Sequence, residues 1–176
     1  SGQLMFGENK VQELTKKHEE LPKNIQWHMI GHLQTNKVKY IAKFISLIHT
    51  VDSIKLMKEI NKRAFNENRI IDCLIQIHIA NEENKFGFKI HEINNVLDLA
   101  KDLKNINIKG LMGMGTYTDD LDIINNEFKI LNSESLKRKT FEFDTLSMGM
   151  SNDYKIAIKN GSTMLRLGSS IFGKRK

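Results

Sequence analysis

One cysteine, Cys73, is all the thiol chemistry these 176 residues hold, so no internal disulfide can form. It sits inside the apolar run 70–79, where a buried, inert thiol is expected, and a chain without disulfides fits the cytoplasm. No apolar run approaches the ~20 residues that a membrane helix needs. The start, Ser1 to Phe6, has no basic region followed by an apolar stretch, so no signal peptide is visible. Pro/Gly/Ser-rich linkers and low-complexity segments are also missing, which leaves no domain boundary and points to one domain over 1–176 with a substantial core. The formal net charge is +6, yet the lysines are mixed with acids along the whole chain. The uninterrupted basic runs, Lys137-Arg138-Lys139 and Lys174-Arg175-Lys176, are short. This argues for a solvated basic surface rather than an RNA-binding face, and such a surface still attracts an anion such as a phosphate ester.

What is present is an alternation. Strand candidates fall at 4–6, 25–30, 47–51, 73–79, 106–112, 143–146 and 163–167, and several are apolar at nearly every position, as in strands buried on both faces. Helical stretches lie between them. Residues 92–104 place Ile93, Val96, Leu97, Ala100 and Leu103 on one face at three- and four-residue steps. Ser53 is positioned to cap a helix carrying Ile54, Met57, Ile60 and Ala64. Ser151 or Asn152 is placed to cap a helix through Ile158 that ends near Gly161, and 121–136 also reads as helical. The alternation predicts a parallel sheet with right-handed crossovers. Seven strands are visible; a (β/α)8 barrel needs eight, whereas a doubly wound sheet can use seven, and periodicity does not choose between them.

The densest chemical signals lie near the C-terminus. Leu146-Ser147-Met148-Gly149-Met150-Ser151 reads as a strand end passing into a turn, and Arg166-Leu167-Gly168-Ser169-Ser170 follows the last strand. Glycine lets backbone N–H groups approach an anion, and serine adds a donor. In barrels a phosphate often binds between the loops after strands seven and eight. One such turn alone is better explained as a tight strand-to-helix connection; two of them on the last two strands bring the two readings level. Arg166, a cation between Leu165 and Leu167, calls for a partner in the barrel mouth or for a carboxylate such as Glu8. Phe6-Gly7-Glu8-Asn9 closes the first strand, where Glu8 or Asn9 could equally cap the next helix.

Other patterns exclude functions. His28 and His32 straddle a strand-to-loop transition with no cysteine or carboxylate near them in sequence, so no metal site is expected. The remaining histidines, His18, His49, His78 and His91, are scattered without a constellation. The three glycines of 110–115 lack dinucleotide-loop spacing. No Walker A loop and no Ser/His/Asp or Cys/His nucleophile pattern is present.

Seven words carry a resemblance. They are FGENKVQE at 6–13, WHMIGHLQTNK at 27–37, HTVDS at 49–53, KFGF at 85–88, GLMGM at 110–114, LSMGMSND at 146–153 and RLGSSIFGKR at 166–175. In this order the chain resembles the pyridoxal-phosphate (PLP) homeostasis protein family, related to the N-terminal barrel of alanine racemase. The resemblance implies a (β/α)8 TIM-type barrel with PLP in its mouth. It implies that Ser147, Gly149, Met150, Gly168 and Ser169 hold the phosphate, or a plain phosphate or sulfate. Arg166 would face the pyridine nitrogen or stand close to the phosphate, Asn9 would lie beside the ring, and His28 and Met29 would lie under the cofactor. It further implies a Schiff-base lysine at the end of a first strand, in a V-S-K-like context. No such motif occurs in residues 1–176, so that strand and its helix are expected to precede Ser1. Lys10, Lys37 and Lys85 belong to other motifs.

The function implied is non-catalytic PLP binding and homeostasis, with no catalytic residue, PLP-dependent apo-enzymes as recipients, and a monomer or weak dimer. Two alternatives stand beside it. One is a PLP-dependent amino-acid racemase, disfavoured because alanine racemase draws a tyrosine base from a second domain that these residues lack. The other is a basic module for nucleic acid or a partner protein.

Overall fold

The computed structural model describes residues 2–82, 86–140 and 142–173; Lys85 and the run Lys174-Arg175-Lys176 lie outside them. Strands and helices alternate as β1 (Met5–Glu8), α1 (Val11–Glu20), β2 (Gln26–Met29), α2 (Val38–Ile41), β3 (Leu47–Val51), α3 (Ile54–Asn66), β4 (Ile71–Ile77), α4 (Ile93–Ala100), β5 (Ile106–Gly113), α5 (Leu121–Leu136), β6 (Thr145–Met150), α6 (Tyr154–Lys159), β7 (Met164–Arg166) and α7 (Ser169–Phe172). The strands form one parallel sheet in sequence order, β1 to β7.

The sheet is curled into a nearly closed barrel. Leu47 of β3, Leu74 of β4, Met112 of β5 and Met164 of β7 share one cluster, which strands so far apart in order can reach only across a concave surface. The second, larger cluster lies between the sheet and its helices. Alternation along each strand sorts side chains between the two. On β3, Leu47 faces inward and Ile48 outward; on β4, Leu74 faces inward and Cys73 and Ile75 outward. The buried Cys73 thiol is held protonated, burial raising its pKa.

The helices form where the apolar spacing demands it. Leu56, Met57, Ile60 and Ala64 of α3 are fully buried or nearly so, and the Ser53 hydroxyl accepts from the Leu56 N–H at 3.3 Å, capping the helix as the sequence predicts. A large side chain buried this way stabilises the fold by roughly 1.5–3 kcal/mol. Gly110 lets β5 approach β6: at φ 154° a Cβ here would sit 1.7 Å from the Thr145 carbonyl oxygen.

Several boundaries differ from expectation. β1 runs to Glu8 rather than ending at Phe6, so Glu8 lies in the strand and bonds Lys17 instead of capping α1. The N-cap of α1 is Lys10, with no side-chain bond; neither Glu8 nor Asn9 fills that role. The stretch 92–104 divides into a 3-10 turn (Ile90–Glu92) and α4, with the Lys101 N–H bonding Asp98 O at its end. β6 continues to Met150, so Ser147 to Met150 belong to a strand and not to a turn. The helix after it is capped by Asp153 rather than Ser151 or Asn152. Gly149 makes both possible, because its φ of 97° turns the strand end while a Cβ would meet Ala157 Cβ at 2.5 Å.

Candidate functional site

The inner face of the sheet is apolar at its base and polar above it. Over the Leu47, Leu74, Met112 and Met164 cluster, one polar chain crosses the barrel from β2 to β7. His28 Nδ1 lies 3.1 Å from His49 Nε2, and His49 Nδ1 lies 2.9 Å from Ser147 Oγ. Arg166 Nη1 donates to Ser147 Oγ at 2.7 Å and to Ser147 O at 2.9 Å, and Nη2 donates to Gly113 O at 3.0 Å. All four side chains are buried, Ser147 completely.

Burial sets the charge states. It lowers the His28 pKa to about 4. It lowers His49 well below the usual imidazole range, with the nearby His28 and Arg166 pushing the same way. Burial also pulls Arg166 down to about 10, opposed by the Asp153 carboxylate. At neutral pH the layer therefore holds two neutral imidazoles and one guanidinium cation. No carboxylate hydrogen-bonds Arg166 among the described residues, and the anticipated pair with Glu8 does not form, because Glu8 bonds Lys17.

Above Arg166, the ends of β6 and β7 make a rim. Met150 is the register partner of Arg166. The Met150 N–H donates to Asp153 Oδ1 at 2.6 Å. The N–H groups of Gly168 and Ser170 both donate to Ser151 Oγ, at 3.3 and 3.2 Å. Three backbone donors thus point at side-chain oxygens of one short segment, and a Cβ on Gly168 would meet nothing within 4 Å. Donors of this kind suit an anion.

The site residues singled out from the sequence fall into three groups. His28, Ser147 and Arg166 join one network in the barrel. Met150, Gly168 and Ser169 stand exposed on the rim, with Gly149 buried beneath in β6. Asn9 lies exposed just past the end of β1. Met29 is elsewhere: it is fully buried in the outer, helix-facing core, opposite His28, because adjacent strand residues point to opposite faces. His49, Ser151 and Asp153 were missed. His49 carries the signal that singled out Arg166, a polar side chain inside the buried strand Leu47–Val51. Among the described residues no His/Cys/Asp/Glu group could hold a metal, and no helix is long and apolar enough to cross a membrane.

The family model for the alanine racemase N-terminal domain matches residues 2–176. The pyridoxal phosphate homeostasis protein of Aquifex aeolicus is 38% identical over 179 residues, covering 99% of this chain and 78% of that protein. Its Escherichia coli namesake is 33% identical over 183 residues, covering 99% and 77%. The chain belongs to the pyridoxal phosphate homeostasis protein family. PipY of Synechococcus elongatus, solved without PLP, superposes with a TM-score of 0.91 at 29% identity, over 98% of this chain and 83% of that one. PipY with PLP bound gives 0.86 at 28% identity, over 98% and 82%. The alanine racemase of Clostridium difficile, 16% identical with a TM-score of 0.71 over 97% of this chain and 44% of its own, shares the fold.

Proposed function

We propose that this chain binds pyridoxal 5'-phosphate at the mouth of the barrel and serves as a carrier of that cofactor, without catalysing a reaction of its own. The observation that carries the reading is Arg166. Its guanidinium is buried and held by Ser147 and Gly113, and three of its N–H donors are used there, which leaves the Nε–H and the second Nη2–H for a ligand. The donor set fits PLP. Arg166 offers a cation to the pyridine nitrogen, and the N–H groups of Met150 and Gly168, held by Asp153 and Ser151 in the ligand-free chain, would turn to the phosphate, with Ser169 beside them.

PLP, when bound, supplies an electrophilic aldehyde and an electron-withdrawing ring. A ring nitrogen that faces an arginine rather than a carboxylate stays unprotonated and withdraws electrons poorly. This favours storage over turnover of amino acids. It fits delivery to PLP-dependent apo-enzymes in the cytoplasm by a monomer or weak dimer. Ser147 acts through Arg166 in this arrangement, since its hydroxyl is already used by Arg166 and His49.

Titrating the chain with PLP and following absorbance tests the reading. Saturable binding is expected, weakened by about 10- to 100-fold in Arg166→Met, as for loss of hydrogen bonds from a charged group. Arg166→Lys, which keeps the charge but loses the fork, falls between. Unchanged affinity in both folded variants, or measurable racemisation of a free amino acid, would sink it.

A further inference from the structure

The chain His28–His49–Ser147–Arg166 has a direction, and that direction follows from elementary donor counting. Arg166 has no acceptor, so Ser147 Oγ must accept from it at 2.7 Å. The Ser147 side chain is fully buried, and His49 Nδ1 is the only other group within hydrogen-bond distance of Oγ among the described residues. If His49 also donated to Oγ, the hydroxyl proton would be left buried with no acceptor, at a cost of about 1–3 kcal/mol. The satisfied arrangement has Ser147 O–H donating to His49 Nδ1. A neutral imidazole that accepts at Nδ1 carries its proton on Nε2. His49 Nε2–H therefore donates to His28 Nδ1 at 3.1 Å. The same rule then puts the His28 proton on Nε2, the open end of the chain.

We propose that His49 is a positioning residue: it passes the donor direction fixed by Arg166 across the barrel, so that His28 presents Nε2–H, a donor, to the ligand space opposite Arg166. The ligand would then meet donors from both sides, from β2 and from β7. A ring whose edges carry acceptors, such as an unprotonated pyridine nitrogen and a phenolate oxygen, suits such a wall, and a protonated ring does not. The neutral state of both imidazoles agrees with this, since a protonated His49 would have no acceptor to offer Ser147. Among the described residues, Arg166 is the charged group that acts on His49, and the Asp153 carboxylate acts in turn on Arg166.

The inference rests on the proposed PLP site for its ligand, but not for its proton positions. The test separates the two. Imidazole 15N NMR of the ligand-free chain reads the His28 and His49 tautomers, and titration with pyridoxine 5'-phosphate, which lacks the aldehyde, reads the non-covalent contact. Both histidines are expected as single Nε2–H tautomers. His49→Leu should turn His28 into a tautomer mixture and weaken pyridoxine 5'-phosphate by about tenfold, the loss of roughly one hydrogen bond. Affinity for inorganic phosphate should stay unchanged. His49→Gln, whose amide can accept from Ser147 and donate to His28, should restore most of both. An Nδ1–H proton on His28 in the unaltered chain overturns the proposal whether or not ligand binds. So does a His49→Leu variant with His28 and affinity unaffected. Correct tautomers with no binding of pyridoxine 5'-phosphate would instead overturn the PLP reading and leave the proton arrangement standing.

Discussion

The two faces of the same strands are built on opposite rules. Outward, β3 and β4 present Ile48, Cys73 and Ile75 to the apolar core beneath the helices. Inward, the same two strands present Leu47 and Leu74 to a small apolar base, and His49 stands above it in the polar layer. The outer face is broad and tolerant in kind, because burial is additive and non-directional. The inner face is narrow and exact in geometry, because each buried polar atom needs a named partner. Stability should therefore respond mainly to changes outside, and ligand affinity to changes inside.

The largest effect should come from the outer layer. Phe128 of α5 is fully buried, and Phe128→Ala should cost about 3–5 kcal/mol in urea unfolding, with PLP affinity of the folded fraction unchanged. A loss below about 1 kcal/mol would break the division of labour.

The inner layer should show itself in acid. His28 has a folded pKa of about 4 against an ordinary 6.5, so the unfolded chain takes up the proton first. Its stabilisation is complete above the ordinary value and is lost as pH falls through the window down to about 4. The slope should amount to roughly 1.4 kcal/mol per unit, a few kcal/mol in all, with His49 acting in the same direction. Unfolding midpoints measured across that range should fall with acid, and His28→Gln should flatten the fall. A flat profile in the unaltered chain would show that the imidazoles are not held neutral.

The smallest effect lies at the rim. Asp153 Oδ1 occupies the Met150 N–H that a phosphate would use. Asp153→Ala should tighten inorganic phosphate by about three- to tenfold, on the order of 1 kcal/mol, in a calorimetric titration. Weaker binding would instead make Asp153 a support of the rim.

The difference between the faces also explains what was legible in the sequence. All seven strands could be located, those such as Ile71–Ile77 because a parallel strand covered on both sides is largely apolar, the rest by their place between helical stretches. The helix over 121–136 matches to the residue, since its periodicity is long and Asp120 caps it. Strand ends were less legible. The turn expected after Leu146 is four residues of strand, because Gly149, at a φ of 97°, lets β6 run on against α6 and β7. Arg166 stood out as one cation among leucines, but His49 did not, because a histidine in an apolar strand stands out less than an arginine. Its partner Ser147 is 98 residues away, and only the curl of the barrel brings them together. Met29 was placed under the ligand with His28, although the two-residue period of a strand sends one of any adjacent pair to the other face.

The polar chain has a mechanical side as well. The sheet is closely stitched at its centre, where β4 and β5 share seven registered pairs, and more loosely at two other joints, β2 with β3 and β6 with β7, which share two each. A curled sheet tends to splay along its weakest joints. The chain from His28 to Arg166 runs through the interior from one loose joint to the other, like a cross-brace. Cutting it at His49 should let these two joints open, with faster amide hydrogen exchange in β2 and β7 while β4 and β5 stay protected.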